Sequence, residues 1–187
     1  MFFKEFLIQR ICHDSHYINV EITLSYELLY SILLSQFHEV FLLINVQRVS
    51  SSSVEVNGSI VAQIKKGIVC LICAVPNDTV NTCERVVEKL SKLRIFNDLN
   101  GKMNKSLIDI NGSVLMVSQF TLAANTKSGN RPDFRRAMEP KQAKLLFDHL
   151  VKLMKDKNIK TKTGLFGANM KLIICNDGPV TIPMNIQ

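Results

Sequence analysis

Asn176-Asp177-Gly178-Pro179-Val180-Thr181 separates two apolar stretches, Met170-Lys171-Leu172-Ile173-Ile174-Cys175 before it and Ile182 to Ile186 after it. Asn, Asp, Gly and Pro in succession are strong punctuation, so the chain is expected to turn here between its last two strands. Gly178 has access to backbone angles closed to other residues. Pro179 allows a cis bond only about 0.5–1 kcal/mol above trans. A Gly-Pro corner also presents main-chain carbonyls in a fixed direction, with no Gly178 side chain to cover them. Two readings of the hexapeptide stand side by side: a plain strand-to-strand turn, or a steric wall made of backbone.

Working outward, Thr161 to Gly167 reads as a loop. The stretch from Pro140 reads as a helix, with Pro140 suited to its first turn. Ala143, Leu146, Phe147, Leu150, Leu153 and Met154 form its apolar face, and Lys141, Lys144, Lys152 and Lys155 stay in water. Before it runs a polar loop, Ala124 to Arg136, carrying Lys127, Arg131, Arg135 and Arg136. Ser113 to Thr121 reads as a strand whose centre, Val114 to Val117, is apolar on both faces and so buried. Val80, Cys83, Val87 and Leu90 recur at helical spacing, with Asp78 or Thr79 as cap. Asn57-Gly58 between alternating segments is a strong hairpin signal. Ile68 to Ala74 is a buried strand. Phe41 to Val49 starts the regular part of the chain, and Tyr26 to Phe41 has the length of a helix without a clean apolar stripe. About seven strands with two helices make an α+β domain, a barrel-like β core with the helices on one side.

The 187 residues carry a formal charge of +7. Residues 1–43 hold Lys4 and Arg10 against Glu5, Asp14, Glu21, Glu27 and Glu39, a net of −3, so the remainder carries +10. A basic body of this size fits a polyanion partner, nucleic acid first, and it also fits simple solubility. Five cysteines at irregular spacing do not make a disulfide framework. Cys70 and Cys73 lie three apart on a strand and so face opposite sides, which is poor geometry for a shared metal. No metal or cofactor is expected. A reducing cytosol suits such cysteine usage, and no run of 18 apolar residues predicts a membrane span. Residues 1–40 keep acidic residues throughout, which makes a poor secretory or transit signal.

Hydrolases usually show a nucleophile with its base, paired carboxylates or a metal cluster. Three of the four histidines, His13, His16 and His38, precede the regular part of the chain, and His149 reads as a surface residue among lysines. A catalytic reading must therefore rest on main-chain groups and on the substrate itself. Ser118-Gln119-Phe120-Thr121 fits that demand, because hydroxyls, an amide and main-chain N–H groups emerge together where a buried strand ends. The competing reading makes Ser118 and Thr121 ordinary strand residues and Phe120 core.

Val117-Ser118-Gln119-Phe120-Thr121-Leu122 and Asn176 to Thr181 together resemble the paired signature of the D-aminoacyl-tRNA deacylases, bacterial and eukaryotic type. The likeness extends to Val46-Gln47-Arg48-Val49, Leu93-Arg94-Ile95-Phe96, Gly101 to Asn104, Gly129 to Phe134 and Thr163 to Ala168. It covers residues 42–186 and leaves 1–40 as an N-terminal extension beside a deacylase domain over 41–187. The resemblance implies a cytoplasmic homodimer that hydrolyses the ester joining a D-amino acid, or glycine, to tRNA. It implies that Gly178-Pro179, in cis and steadied by Asn176, Thr181 and Arg48, reaches into the partner subunit's pocket and rejects L-amino acids with backbone carbonyls. Ser118, Gln119, Phe120 and Thr121 would line that pocket, with the RNA 2′-hydroxyl as activating group rather than Thr121 as nucleophile. Lys127, Arg131, Arg135 and Arg136 are the expected RNA contacts. The rival expectation is a catalytically idle nucleic-acid-binding member of the fold. Two departures stand out: Cys73 where the family commonly has glycine, and the extension itself, with no methionine between Met1 and Met103.

Overall fold

A computed structural model describes residues 8–13, 16–21 and 42–186; the helix expected over Tyr26 to Phe41 lies outside them. The chain divides into two compact units, residues 1–39 and 40–187. In the first, β1 (Ile8–His13) pairs antiparallel with β2 (His16–Glu21), Ile8 opposite Glu21 and His13 opposite His16.

The second unit contains β3 (Leu42–Val56), β4 (Ser59–Ile64), β5 (Gly67–Cys73), α1 (Val80–Lys92), β6 (Phe96–Asn97), β7 (Met103–Lys105), β8 (Ser113–Ser118), α2 (Pro140–Asp156), β9 (Lys160–Thr163) and β10 (Lys171–Ile186). Six strands form one sheet in the order β10-β3-β5-β8-β9, with β4 also on β3; β6 and β7 pair separately. The first half of β3 pairs with β5 and its second half with β4. Because β4 also lies against β8 and β9, the sheet curls into a nearly closed barrel.

Local sequence explains the corners. Asn57 (φ 50°) and Gly58 (φ 80°) both adopt positive φ, the two-residue turn that Asn-Gly favours between twisted strands. Gly67 sits where β5 meets the parallel strand β8, and a Cβ there would fall 1.8 Å from the Ser113 carbonyl oxygen. Only glycine permits that approach.

Two apolar clusters fill the domain. Leu42, Ile44, Val46, Ile68, Cys70, Ile72, Val114 and Met116 point from the sheet to the helices, where Cys83, Val86, Val87, Leu90, Phe147, Leu150, Val151 and Met154 meet them. Val49, Val54, Ala62, Ile64, Val69, Leu115 and Val117 fill the curled interior. Val80, expected on the buried face of α1, is exposed, and Val151 joins the buried face of α2. Thr79 occupies the N-cap of α1, its N–H donating to Thr82 Oγ1 at 3.3 Å. Glu139 caps α2 through Lys141 and Gln142.

Three expectations need correction. Lys160 to Thr163 is a strand, not part of a loop; it pairs parallel with β8, and it lacks apolar residues because it is an edge. The strand through Val117 ends at Ser118, and Phe120–Ala123 forms a 3₁₀ turn. The chain does not reverse at Asn176 to Thr181. β10 runs antiparallel to β3 on both sides of that stretch, with Cys175 opposite Ser51, Asn176 opposite Val49 and Thr181 opposite Gln47. The hexapeptide is an outward bulge within one long strand.

Candidate active site

The first half of the site forms where β8 ends. The Gln119 N–H donates to the Ile72 carbonyl at 2.7 Å, which ties the outgoing chain to β5 and starts the 3₁₀ turn. A cleft of about 420 Å³ opens there. Ser118, Gln119 and Phe120 line it, together with Cys73 and Ala74 from the end of β5, Met138 and Pro140 from the entry to α2, and Phe166 to Met170. Phe120 is 56% exposed, its ring edge-on to Phe134 at 5.1 Å. It belongs to the cleft mouth, not to the core. Thr121 does not line the cleft; its hydroxyl accepts a hydrogen bond from Gln119 Nε2. The Phe120 and Thr121 N–H groups, first in the turn, have no acceptor among the described residues. A short helical turn leaves such leading donors free for a ligand oxygen.

The second half is the bulge in β10. Gly178 has φ 118°, and a Cβ on it would lie 2.7 Å from Arg48 Nη2 and 3.0 Å from Val180 Cγ2. Arg48, only 7% exposed, holds the corner. Its Nε donates to the Asp177 carbonyl at 3.0 Å and lies 3.2 Å from Asp177 Oδ2. Its Nη1 donates to the Ile95 carbonyl at 2.7 Å and to Asn97 Oδ1 at 3.4 Å. Asn176 closes the loop on itself: Oδ1 accepts from the Val180 N–H at 3.0 Å, and Nδ2 donates to Thr181 Oγ1 at 3.0 Å. Gln47 Nε2 reaches the same hydroxyl at 3.3 Å. Gly178 and Pro179 remain exposed. The Gly178–Pro179 peptide is trans, not cis as the resemblance implied. Trans is the intrinsic preference of an X-Pro bond.

The structure brings the expected Arg48, Asn176 and Thr181 together at the bulge. Sequence reasoning missed Gln47, Asp177 and Asn97, whose roles appear only when β3, β10 and the segment after α1 converge. It also missed Phe134 and Phe166, which sit in loops without periodicity. The two halves do not meet within the chain. No residue of 176–181 lines the Ser118 cleft. Arg48 stands opposite Ile68 in β5, and the cleft begins at Cys73, about 16 Å along that strand.

The basic loop leads into Ala137 and Met138 of the cleft lining and meets Phe120 through Phe134. Lys127, Arg131, Arg135 and Arg136 are all exposed. The loop is pinned by paired main-chain bonds between Asn125 and Asp133 at 2.7 and 3.0 Å. Arg135 Nε donates to Asp133 Oδ2 at 2.7 Å. The backbone N–H of Arg135, then its guanidinium, hold the Asp133 carboxyl below the ordinary range. A larger cavity, about 980 Å³, lies between α1 and α2, with residues of both charges such as Arg85, Glu88, Lys92 and Lys157 around Val87 and Leu153; it shares nothing with the cleft. His149, expected at the surface, is half-buried with its Nε2 enclosed. Among the described residues no group of three or more His, Cys, Asp or Glu is placed to hold a metal, and no helix is long and apolar enough to cross a membrane.

One carboxyl beside the cleft is perturbed. Asp78, just before α1, is buried, and its Oδ2 accepts from the Val75 N–H at 2.7 Å. Burial raises its pKa from 3.8 to about 6. The native fold thus holds this proton between about pH 4 and 6, where the unfolded chain has lost it, so stability falls as pH rises through that window. At neutral pH the penalty is at most about 3 kcal/mol. Asp78→Asn keeps an acceptor for Val75 and cannot ionise. It is expected to melt higher than the unsubstituted protein at pH 7 and at the same temperature at pH 4. A pH-independent difference in melting temperature would mean the carboxyl is not shifted.

A family described as D-Tyr-tRNA(Tyr) deacylase matches residues 45–185, which span both halves of the site. The chain belongs to this family. Its deacylase relatives are close. A D-aminoacyl-tRNA deacylase of Jannaschia sp. strain CCS1 is 49% identical over 140 residues, 75% of this chain and 95% of its own. One from Thermosipho melanesiensis is 49% identical over 138 residues, 73% of this chain and 92% of its own. Among solved structures, the c-Myc DNA Unwinding Element Binding Protein superposes with a TM-score of 0.72 at 39% identity, covering 76% of this chain and 97% of that one. A probable eukaryotic D-amino acid tRNA deacylase superposes at 0.69 with 16% identity, covering 78% and 100%; that likeness carries the fold alone. The shared α+β barrel-like fold agrees with the one expected from sequence.

Proposed function

We propose that the protein hydrolyses the ester joining a D-amino acid, or glycine, to the 3′ end of tRNA, and spares L-aminoacyl-tRNA. The observation that carries this reading is the division of the site: a cleft without a wall and a rigid wall without a cleft in the same protomer. A homodimer unites them, with Gly178-Pro179 of one protomer in the cleft of its partner. The half-buried Leu43, Asn45 and Leu71 lie on the sheet beside the bulge, and the Asn45 Oδ1 is enclosed without a bonding partner; a second copy is the natural cover for such a face.

In this reading the terminal adenosine and the aminoacyl group occupy the cleft by Phe120. Water adds to the ester carbonyl carbon, and the free Phe120 and Thr121 N–H groups face the developing oxyanion. The bond to the ribose 3′-oxygen then breaks, and that oxygen takes its proton through the neighbouring 2′-hydroxyl. The carbonyls of the Gly178 corner reject an L side chain by collision rather than by outbidding it. Such a role in translation belongs in the cytoplasm.

The basic loop is the proposed RNA contact. With Lys127, Arg131, Arg135 and Arg136 all changed to alanine, the slope of log affinity against log salt is expected to flatten by about 0.9 for each lost duplex phosphate contact. Filter binding across a salt series measures it, and an unchanged slope would move the RNA elsewhere.

The second reading is nucleic-acid binding without hydrolysis. The +10 charge beyond residue 43 favours it, as does the likeness to a protein named for binding a DNA unwinding element. Incubation with matched D- and L-aminoacyl-tRNA separates the two. Release of the D-amino acid alone supports the deacylase, and binding without release supports the rival.

A further inference from the structure

The 3₁₀ turn at the cleft is four residues long, too short to hold its own shape, so its anchors decide where its main chain lies. One is the Gln119 N–H on the Ile72 carbonyl. The other is a side chain. Cys73, the last residue of β5, is 3% exposed and sits beneath the turn as part of the cleft lining. Its S–H is shared between the Ala74 carbonyl at 3.4 Å and the Phe120 carbonyl at 3.6 Å. One thiol thus ties the first residue of the turn to the end of β5.

We propose that Cys73 is a positioning residue for the reaction: its thiol, wedged under the 3₁₀ turn, sets the Phe120 main chain against the cleft and that of Thr121 next to it. The proposal rests on the deacylase reading, since it treats the N–H groups of those residues as facing the reacting carbonyl. A thiol suits the place. It is small enough to stay under the turn, and it both donates and accepts. Burial pushes its pKa to about 11, so the donated proton is present at neutral pH, and the group is a poor nucleophile in its own right.

The test compares Cys73→Ala and Cys73→Ser with the unsubstituted protein in two measurements. In steady-state release of D-amino acid from D-aminoacyl-tRNA, the alanine variant is expected to lose between about threefold and tenfold in kcat, the worth of a pair of weak hydrogen bonds. KM should stay within about twofold, because a misplaced oxyanion donor acts on the transition state rather than on binding. Serine restores donor and acceptor and is expected to recover most of the loss. In hydrogen exchange, the Leu122 and Ala123 amides should exchange faster in the alanine variant and return with serine. The Gln119 amide, bonded to Ile72, should hold steady as the internal control. Unchanged kcat in Cys73→Ala, or a serine variant no better than alanine, overturns the proposal. So does exchange that rises evenly over the whole domain, the mark of general destabilisation. If the unsubstituted protein releases no D-amino acid, the deacylase reading fails on its own. The exchange comparison then still decides whether Cys73 holds the turn.

Discussion

Replacing Gly178 by alanine is expected to slow D-amino acid release by at least about a hundredfold, the scale of losing an electrostatic or positioning element at a reacting centre. Two independent problems arise at that residue. Its φ of 118° lies where side chains are rarely tolerated, and the new Cβ would sit 2.7 Å from Arg48 Nη2. The guanidinium has little freedom to retreat, because the Ile95 and Asp177 carbonyls hold it. The corner must therefore shift, and with it the carbonyls proposed to screen the substrate. Thr121→Ala is the informative contrast. Its hydroxyl faces Gln119 rather than the cleft, so its loss is expected to cost less than about tenfold, the net worth of one hydrogen bond. Rates of D- and L-aminoacyl-tRNA hydrolysis for both variants, each first shown to be folded, test this. An inactive Thr121→Ala beside a normal Gly178→Ala would make the hydroxyl the nucleophile and end the backbone mechanism. A tRNA ending in 2′-deoxyadenosine probes the same point independently, since the unsubstituted protein should leave it intact.

Arg48→Met should be nearly as damaging, for a different reason. The substitution preserves much of the volume but removes the donors to Ile95, Asn97 and Asp177 together. Leaving the buried Ile95 carbonyl without its partner and breaking an ion pair whose arginine is buried costs at most about 3–5 kcal/mol. The Asp177 side chain is half exposed, which moves the expectation to the lower end of that range. Urea unfolding measures the loss. Arg48→Lys is expected to fare little better, because an ammonium on a flexible stem cannot span two directions as the planar guanidinium does. A lysine variant with full stability and D-selectivity would show that the clamp is dispensable.

How much of the molecule is legible in its sequence depends on where each signal lies. The Asn57-Gly58 hairpin and the buried strand β5 carry their signals in adjacent residues, so both can be read. The buried side of α2 is legible except for Val151, and that of α1 except for Val80, which is exposed, and Val86, which is buried. The strand β9 is not, because Lys160 and Lys162 alternate with threonines at an edge and no apolar run marks them. The straight passage of β10 through Asn176 to Thr181 is hidden for a different reason. Local punctuation announces a change of direction, whereas continued pairing with β3 on both sides is a property of the sheet. At the site, Ser118, Gln119 and Arg48 are legible, while Thr121 facing away from the cleft requires the 3₁₀ turn to be seen.

The bulge in β10 has a mechanical consequence. A loop at the end of a hairpin is tethered at one side and swings with every fraying of its strands. This one is set into mid-span, with Lys171 to Asn176 and Thr181 to Ile186 each locked in register to the same neighbour. Telling one enantiomer from another means detecting the misplacement of a few atoms, and a reference surface for that task must hold its place to about 0.5 Å. In the proposed screening role, the two abutments add to what the Arg48 clamp and the Asn176 hydrogen bonds do for the loop. A wall in that proposed role is held from both sides along the strand, not from one end.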